Sequence, residues 1–417
     1  PKQAQTIHRL LGVIPNSPNF RHDQNNKLSV DILLIDEVSM VDLPLMTRVI
    51  RALPKDCQVI LLGDADQLPS VAAGSVLADL APFDQTRYSK NNAKYLHSVS
   101  GEQGLTTAQN KAQKQFADHL TFLTKSRRFD GKGEIGQLAK AVIAGDNGLS
   151  WQLLQSSVNK ENSQLTWLDS VKTGVSKDQS AWQNQASIAT TRQNGLDFEW
   201  LMELVEQYYQ PIKHCNNLTQ AFSLFSQFRI LAATRNGVTG VEHLNQLIEA
   251  KINPTNYLAQ SNTNSQLYHG KPIMINQNDY RLGLYNGDIG FIWRNEAGHL
   301  MAVFQQSTAQ QSTANQSAGQ QDTNGQADQY LWLLPSRLPS YETVYAMTIH
   351  KTQGSEFDHV AMVLPADTQS KILSRELLYT GITRAKSQLT IHTNRAIWFQ
   401  GVESNVKRNS GISLNKL

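Results

Sequence analysis

Asp31-Ile32-Leu33-Leu34-Ile35-Asp36-Glu37-Val38-Ser39-Met40 is an apolar run that stops at two adjacent carboxylates, and its reading decides the fold. A short Ile- and Leu-rich run bounded by charge predicts a strand buried on both faces, as in the parallel sheet of an α/β domain. Carboxylates at the end of such a strand lie where α/β sheets bind ligands. In a nucleotide-hydrolysing site Asp36 would hold magnesium, directly or through water, because a small hard cation prefers oxygen ligands and keeps part of its hydration shell. Glu37 would orient the attacking water and take its proton.

The stretch Cys57-Gln58-Val59-Ile60-Leu61-Leu62-Gly63-Asp64-Ala65-Asp66-Gln67-Leu68-Pro69-Ser70-Val71 predicts a second buried strand, followed by a glycine, acids and a glutamine. Parallel neighbours ending at one edge would set Gln67 beside Asp36 and Glu37, its amide directed at a terminal phosphate. Together the two stretches resemble motifs II and III of the superfamily 1 helicases. The wording DEVSM with GDADQLPSVAAG is most similar to the RecD family, the alpha subunits of exodeoxyribonuclease V. The resemblance implies two RecA-like parallel-sheet motor domains, the first truncated at its N-terminus, with a small SH3-like β-barrel inserted in the second. It also implies ATP and Mg2+ as cofactors, with Asp36 as the metal ligand.

The bulk properties agree with that size and add limits. A chain of 417 residues suits two or three domains, and 40% hydrophobic residues is an ordinary globular value. The net charge of +3 excludes a global basic field, so a nucleic-acid surface must be a local patch. Cys57 and Cys215 are the only cysteines, which excludes a disulfide framework and a zinc site of usual spacing, and suits a reduced bacterial cytoplasm. No apolar run is long enough to span a bilayer, and no signal peptide opens the chain. The start at Pro1, directly in motif-like sequence, reads as a fragment.

Residues 1–122 are expected to be the remainder of the first motor domain, with 12–30 a candidate hairpin subdomain. Residues 123–254 and 340–417 would form the second motor domain and 255–339 the insert. Ala4-Gln5-Thr6-Ile7-His8 is echoed by Ala346-Met347-Thr348-Ile349-His350. By resemblance each loop grips single-stranded DNA, with Thr6, His8, Thr348 and His350 on phosphate or sugar, contacts that position backbone without reading sequence. Phe20-Arg21-His22, between turn-forming Pro18 and Asn25-Asn26, falls where the family carries a hairpin near the strand-separation point.

Ala72 to Leu80, Ile135 to Ile143, Thr190 to Tyr209 and Gly240 to Ile252 have helical spacing; Phe228 to Ala233 reads as a buried strand ending at Thr234-Arg235-Asn236-Gly237. Lys125-Ser126-Arg127-Arg128-Phe129 resembles motif IV, with Arg128 at the phosphate-reaching position and Arg127 its rival. From Asn253 to Pro339 the period changes from helical to alternating, with four strand-like runs between Lys271 and Leu334 and an Asn286-Gly287 turn signal. Residues 305–329 hold a direct repeat of Gln-Gln-Ser-Thr-Ala and almost no apolar side chains, so they are expected to be a disordered loop. Glu342 to Thr348 reads as one strand entering His350-Lys351-Thr352-Gln353-Gly354-Ser355-Glu356-Phe357, which resembles motif V. That resemblance puts Lys351, Thr352 and Gln353 near DNA and Glu356 near the nucleotide sugar. Tyr379-Thr380-Gly381-Ile382-Thr383-Arg384-Ala385-Lys386 resembles motif VI, with Arg384 as arginine finger, a role suited to a planar, permanent cation. The nucleotide-binding set implied is thus Asp64, Gln67, Arg128, Glu356 and Arg384; the catalytic set is Glu37, Asp36, Gln67 and Arg384.

The phosphate-loop pattern G-x-x-x-x-G-K-[ST] does not occur in the 417 residues. That loop supplies the amides and lysine that hold phosphates, so this chain alone is expected to hydrolyse ATP poorly. The implied function is the motor subunit of a 5′–3′ DNA helicase within a RecBCD-type nuclease complex, acting in double-strand break repair and recombination. Its implied partners are single-stranded DNA, duplex DNA ends, and RecB and RecC subunits. The alternatives are a stand-alone RecD-like or relaxase-type helicase, and a non-catalytic DNA-binding or assembly subunit.

Overall fold

A computed structural model describes residues 4–14, 17–70, 74, 76–81, 88–101, 118–123, 126, 133–158, 160, 162–170, 192–193, 196–254, 267–306, 330–368 and 370–406. The chain divides into two compact units, one of Pro1–Arg127 with Asn405–Leu417, the other of Arg128–Ser404.

In the first unit the two apolar runs form β1 (Ile32–Ile35) and β2 (Gln58–Leu61), which pair in parallel with Ile32 opposite Gln58 and Ile35 opposite Leu61. The crossover is the helix Leu43–Ala52, started by the Asp42 side chain, which accepts from Leu45 N at 2.7 Å. Met46, Val49 and Ala52 of this helix join Leu33, Ile35, Val38 and Leu11 in one core. The expectation of a strand buried on both faces needs correction. Leu33 and Ile35 are buried, but Ile32 and Leu34 are 58% and 55% exposed, and Ile60 and Leu62 of the second run 44% and 42%. Successive side chains of a strand point to opposite faces, and in β1 one face is buried while the other is exposed.

The second unit contains a fully parallel five-stranded sheet, with β6 (Phe228–Ala232), β12 (Ala346–Thr348), β13 (Phe357–Val363), β14 (Ala385–Thr393) and β3 (Leu165–Asp169) in the order β12-β6-β13-β14-β3. β6 is buried along its whole length. The helix Glu134–Ala144, closed by Gly145 at φ 72°, packs on the helices Asn147–Ser157 and Arg375–Ile382. Edge strand β3 had no sequence signal. A two-residue strand pair, β4 (Arg192–Gln193) with β5 (Leu196–Asp197), precedes the helix Glu199–Tyr208 where one longer helix was expected.

After the helix Val241–Ile252 the chain leaves this sheet and builds an antiparallel one, β10-β9-β8-β7-β11. Its strands are β7 (Lys271–Ile275), β8 (Ile289–Arg294), β9 (Leu300–Gln305), β10 (Tyr330–Leu333) and β11 (Tyr341–Thr343). Gly290 is required there, since a Cβ would lie 2.4 Å from Val303 O. Here the structure corrects the single strand expected over Glu342 to Thr348. β11 pairs antiparallel with β7, whereas β12, two residues later, pairs in parallel with β6. The antiparallel sheet therefore holds the chain as far as Thr343. The crossing backbone is satisfied by side chains: Arg229 Nη1 donates to Val344 O at 3.1 Å, Tyr209 Oη to Tyr345 O at 2.8 Å, and Asn245 Oδ1 accepts from Ala346 N at 2.8 Å. Arg229 is wholly buried, its guanidinium 3.6 Å from the Phe225 ring centroid, and burial pulls its pKa down to about 10. Residues 307–329, most of the Gln-rich stretch, lie outside the described residues. Among the described residues no helix is long and apolar enough to cross a membrane.

Candidate nucleotide and nucleic-acid sites

Both carboxylates sit in the turn that leaves β1. Glu37 adopts the left-handed conformation at φ 52° and ψ 42°, one of two non-glycine residues with positive φ among those described. Such a backbone is uncommon outside glycine and costs free energy, of order 1 kcal/mol or more. Its N–H donates to Asp36 Oδ1 at 2.8 Å, and Asp36 is exposed. The loop that leaves β2 is stitched to this turn by two backbone hydrogen bonds, Val38 N to Leu62 O at 3.0 Å and Ser70 N to Ser39 O at 3.0 Å. Gly63 permits the approach: a Cβ there would be 3.1 Å from Val38 N and 2.8 Å from Leu77 Cδ2. Gln67 is buried, its Nε2 donating to Asp64 Oδ2 at 3.2 Å, and Asp64 Oδ1 accepts from Asp66 N at 3.0 Å. The structure thus brings the Asp36–Glu37 turn and the Asp64–Gln67 loop together. Ser39, also buried in this turn, has a hydroxyl without a hydrogen-bond partner among the described residues, and sequence reasoning passed over it.

Among the described residues no three His, Cys, Asp or Glu side chains cluster to enclose a metal ion. Magnesium does not need such a cage, because it is commonly held by one or two carboxylates together with phosphates and water. Asp36, exposed and with one oxygen engaged by its own turn, fits that mode.

The two Thr-Ile-His segments share a local structure. Thr6 stands at the N-cap of the helix Ile7–Leu11 with φ −68° and ψ 152°, and Thr348 at the N-cap of the 3-10 turn Ile349–Thr352 with φ −72° and ψ 149°. The Thr6 hydroxyl accepts from Arg9 N at 3.3 Å, whereas Thr348 makes no such capping bond. His8 is exposed and meets the Phe20 ring edge-on at 5.7 Å; His350 is half-buried. Phe20 is bridged antiparallel to Val13 and lies 5.3 Å from the Arg48 guanidinium, so the 12–30 excursion opens as a short hairpin.

In the motif V and VI segments the side chains divide by burial. Lys351 reaches solvent and Gln353 is half-buried. Thr352 is wholly buried, its hydroxyl donating to Ile349 O at 2.7 Å, so it holds the turn and is not positioned to touch DNA. Arg384 is also wholly buried: Nε donates to Thr380 O at 3.1 Å, and Nη1 to Ser355 O at 3.0 Å and Thr352 O at 3.3 Å. The motif VI arginine is therefore tied to the carbonyls of the motif V loop. Glu356 is exposed and lies 3.7 Å from Lys386, which also pairs with Asp358 at 3.1 Å. Arg127 and Arg128 lie outside the described residues.

Two family models match the chain, one described as AAA domain over residues 1–73 and one described as UvrD-like helicase C-terminal domain over residues 343–392. The first covers the acid turn and the Gln67 loop, the second Lys351 to Arg384. The chain is similar over nearly its whole length to proteins named RecBCD enzyme subunit RecD. The Haemophilus influenzae protein is 35% identical over 99% of this chain and 58% of its own length. The Mycobacterium tuberculosis protein is 31% identical over 99% of this chain and 57% of its own. The Deinococcus radiodurans protein named ATP-dependent RecD2 DNA helicase is 24% identical over 95% of this chain and 41% of its own. The chain spans less than three fifths of the length of these RecD relatives. Among solved structures, Pif1 helicase from Bacteroides in complex with ADP-AlF3 and ssDNA aligns at 16% identity and a TM-score of 0.42, over 96% of this chain and 80% of that one.

Proposed function

We propose that the chain is the greater part of a RecD-type motor subunit, an ATP-driven helicase that travels 5′ to 3′ along single-stranded DNA from duplex ends, with RecB- and RecC-type partners in a reduced bacterial cytoplasm. The observation that carries this reading is the stitched pair of loops at the carboxyl ends of parallel β1 and β2, one holding Asp36 and Glu37 and the other Gln67. Asp36 would hold Mg2+, which neutralises developing charge on the phosphates when bound. Glu37 orients a water and accepts its proton, and the strained turn fixes its direction. Gln67, held by Asp64, places its amide at the terminal phosphate. The Arg384 guanidinium is the group the family resemblance assigns to transition-state charge, and the same resemblance assigns Arg128 and Glu356 to the nucleotide. The strand is gripped by Thr6 and His8 in one unit and by Thr348, His350, Lys351 and Gln353 in the other.

The test is single-strand affinity of Thr6→Ala and Thr348→Ala, alone and together, at two salt concentrations. Loss of a backbone grip weakens binding to every sequence, and binding falls with salt through counterion release. Unchanged affinity, with a lowered melting temperature for both variants, would make the two threonines caps and nothing more.

A further inference from the structure

In the second unit a cleft of about 220 Å³ opens between the turns that leave the parallel sheet and the first residues to return from the insert. Arg235, Asn245, Gln246, Glu342, Thr348 and Lys351 line it. Within it one carboxylate bridges two cations. Glu342 Oε2 lies 3.0 Å from Arg235 Nη2 and Glu342 Oε1 lies 2.7 Å from Lys351 Nζ. These are distances of charge-assisted hydrogen bonds, and two oxygens of one anion on two cations is the pattern a phosphodiester group would make. Arg235 Nε is further held by Glu242 at 2.9 Å, and Lys351 Nζ by Asn276 Oδ1 at 3.2 Å.

We propose that Glu342 is an internal counter-anion for the DNA grip, occupying the place of a strand phosphate between Arg235 and Lys351 and yielding it when the strand binds. This rests on the reading of Lys351 as a DNA contact and adds how that contact is regulated. Arg235 follows β6 and Lys351 follows β12, so the parallel sheet carries both cations. Glu342 belongs to β11, where it lies opposite Met274 of β7, so the inserted sheet delivers the anion. The cations reach solvent, at 57% and 33% side-chain exposure, while Glu342 is 20% exposed.

Charge in the cleft is balanced. Glu242, Glu249 and Glu342 face Arg235 and Lys351, and buried Lys271 is spent on Glu249 at 2.5 Å. A phosphate arriving beside an intact network meets no excess positive charge. Only by taking the place of Glu342 does it gain two cations. A grip built this way is releasable, because the leaving phosphate is replaced at once by the protein's own carboxylate.

The experiment uses the 417-residue chain and a fluorescein-labelled oligo(dT), with affinity followed by anisotropy between 50 and 200 mM salt. Glu342→Gln keeps the shape and removes the charge. It is expected to bind more tightly than the unaltered chain, with a salt slope steeper by about 0.7 for each cation handed to phosphate. As salt rises fourfold across that range the advantage should shrink about 3-fold for one cation and about 7-fold for two. Lys351→Ala in the Glu342→Gln background should abolish most of the gain. Should Glu342→Gln fail to fold, Glu342→Asp, which keeps the charge but draws it back by one methylene, is expected to show a smaller gain of the same kind. Binding by the unaltered chain that is matched or weakened in the variants, with an unchanged slope, overturns the counter-anion and leaves DNA binding standing. Failure of all forms to bind oligo(dT) at any salt refutes the DNA reading itself.

Discussion

Acidification should destabilise the second unit through one buried histidine. His359 lies in β13 with Nδ1 3.2 Å from Tyr208 Oη and Nε2 2.9 Å from Thr390 Oγ1, so in the neutral ring one nitrogen donates and the other accepts. Phe228 and Tyr208 pack on it at 5.1 and 5.5 Å, and burial pushes its pKa down to about 4. An unfolded histidine titrates near 6.5. Between those values the unfolded chain binds more protons than the folded one, so stability is full above about pH 6.5 and is lost as pH falls toward 4. The whole gap is worth about 3 kcal/mol, of which about 2 kcal/mol has gone by pH 5. All seven tryptophans, at 151, 167, 182, 200, 293, 332 and 398, fall within Arg128–Ser404, so tryptophan fluorescence in urea reports this unit without the other. His359→Phe removes the titration but leaves two hydroxyls without their partner, at a cost of roughly 1–3 kcal/mol at pH 7. The stability gap between the two proteins should then narrow by about 2 kcal/mol from pH 7 to pH 5. Parallel pH dependences would refute the assignment of this acid sensitivity to His359.

Other outcomes are expected from the same structure. The 417-residue chain alone should show no magnesium-dependent ATP turnover above background, since it holds no phosphate-loop pattern; robust turnover would require another lysine to cradle the phosphates. In a longer polypeptide that carries such a loop, Glu37→Gln should abolish turnover and leave ATP binding nearly intact, and equal loss of both would make Glu37 structural. Gly240→Ala would set a Cβ 2.5 Å from Asn236 C and 2.6 Å from Arg235 O, so it should cost about 1–3 kcal/mol in urea unfolding; an unchanged midpoint would show that the turn adjusts freely. Deleting residues 307–329 and joining Gln306 to Tyr330 through a short turn should leave the melting temperature unchanged, whereas a large fall would show that the repeat contributes to folding.

The sequence by itself determined the parts of this protein that depend on local pattern. Apolar runs bounded by charge located β1, β2, β6 and β13, and the glycine at 145 marked a helix end, because strand burial and left-handed caps are written in adjacent residues. The order of the motifs then carried the resemblance to the superfamily 1 helicases. Contacts between distant residues were decided only by the tertiary structure. The run from Glu342 to Thr348 contains no breaker, and it splits between two sheets because Arg229, Tyr209 and Asn245 satisfy its backbone at the crossing. Arg384 and Thr352 look alike accessible in a motif, yet both are buried on backbone carbonyls, Thr352 on that of Ile349 in its own turn and Arg384 on those of Thr380 and of Ser355 in the preceding motif. The Arg235–Glu342 pair joins residues 107 positions apart, and no local periodicity encodes a charge pair that forms only when an inserted sheet returns its last strand to the parent fold.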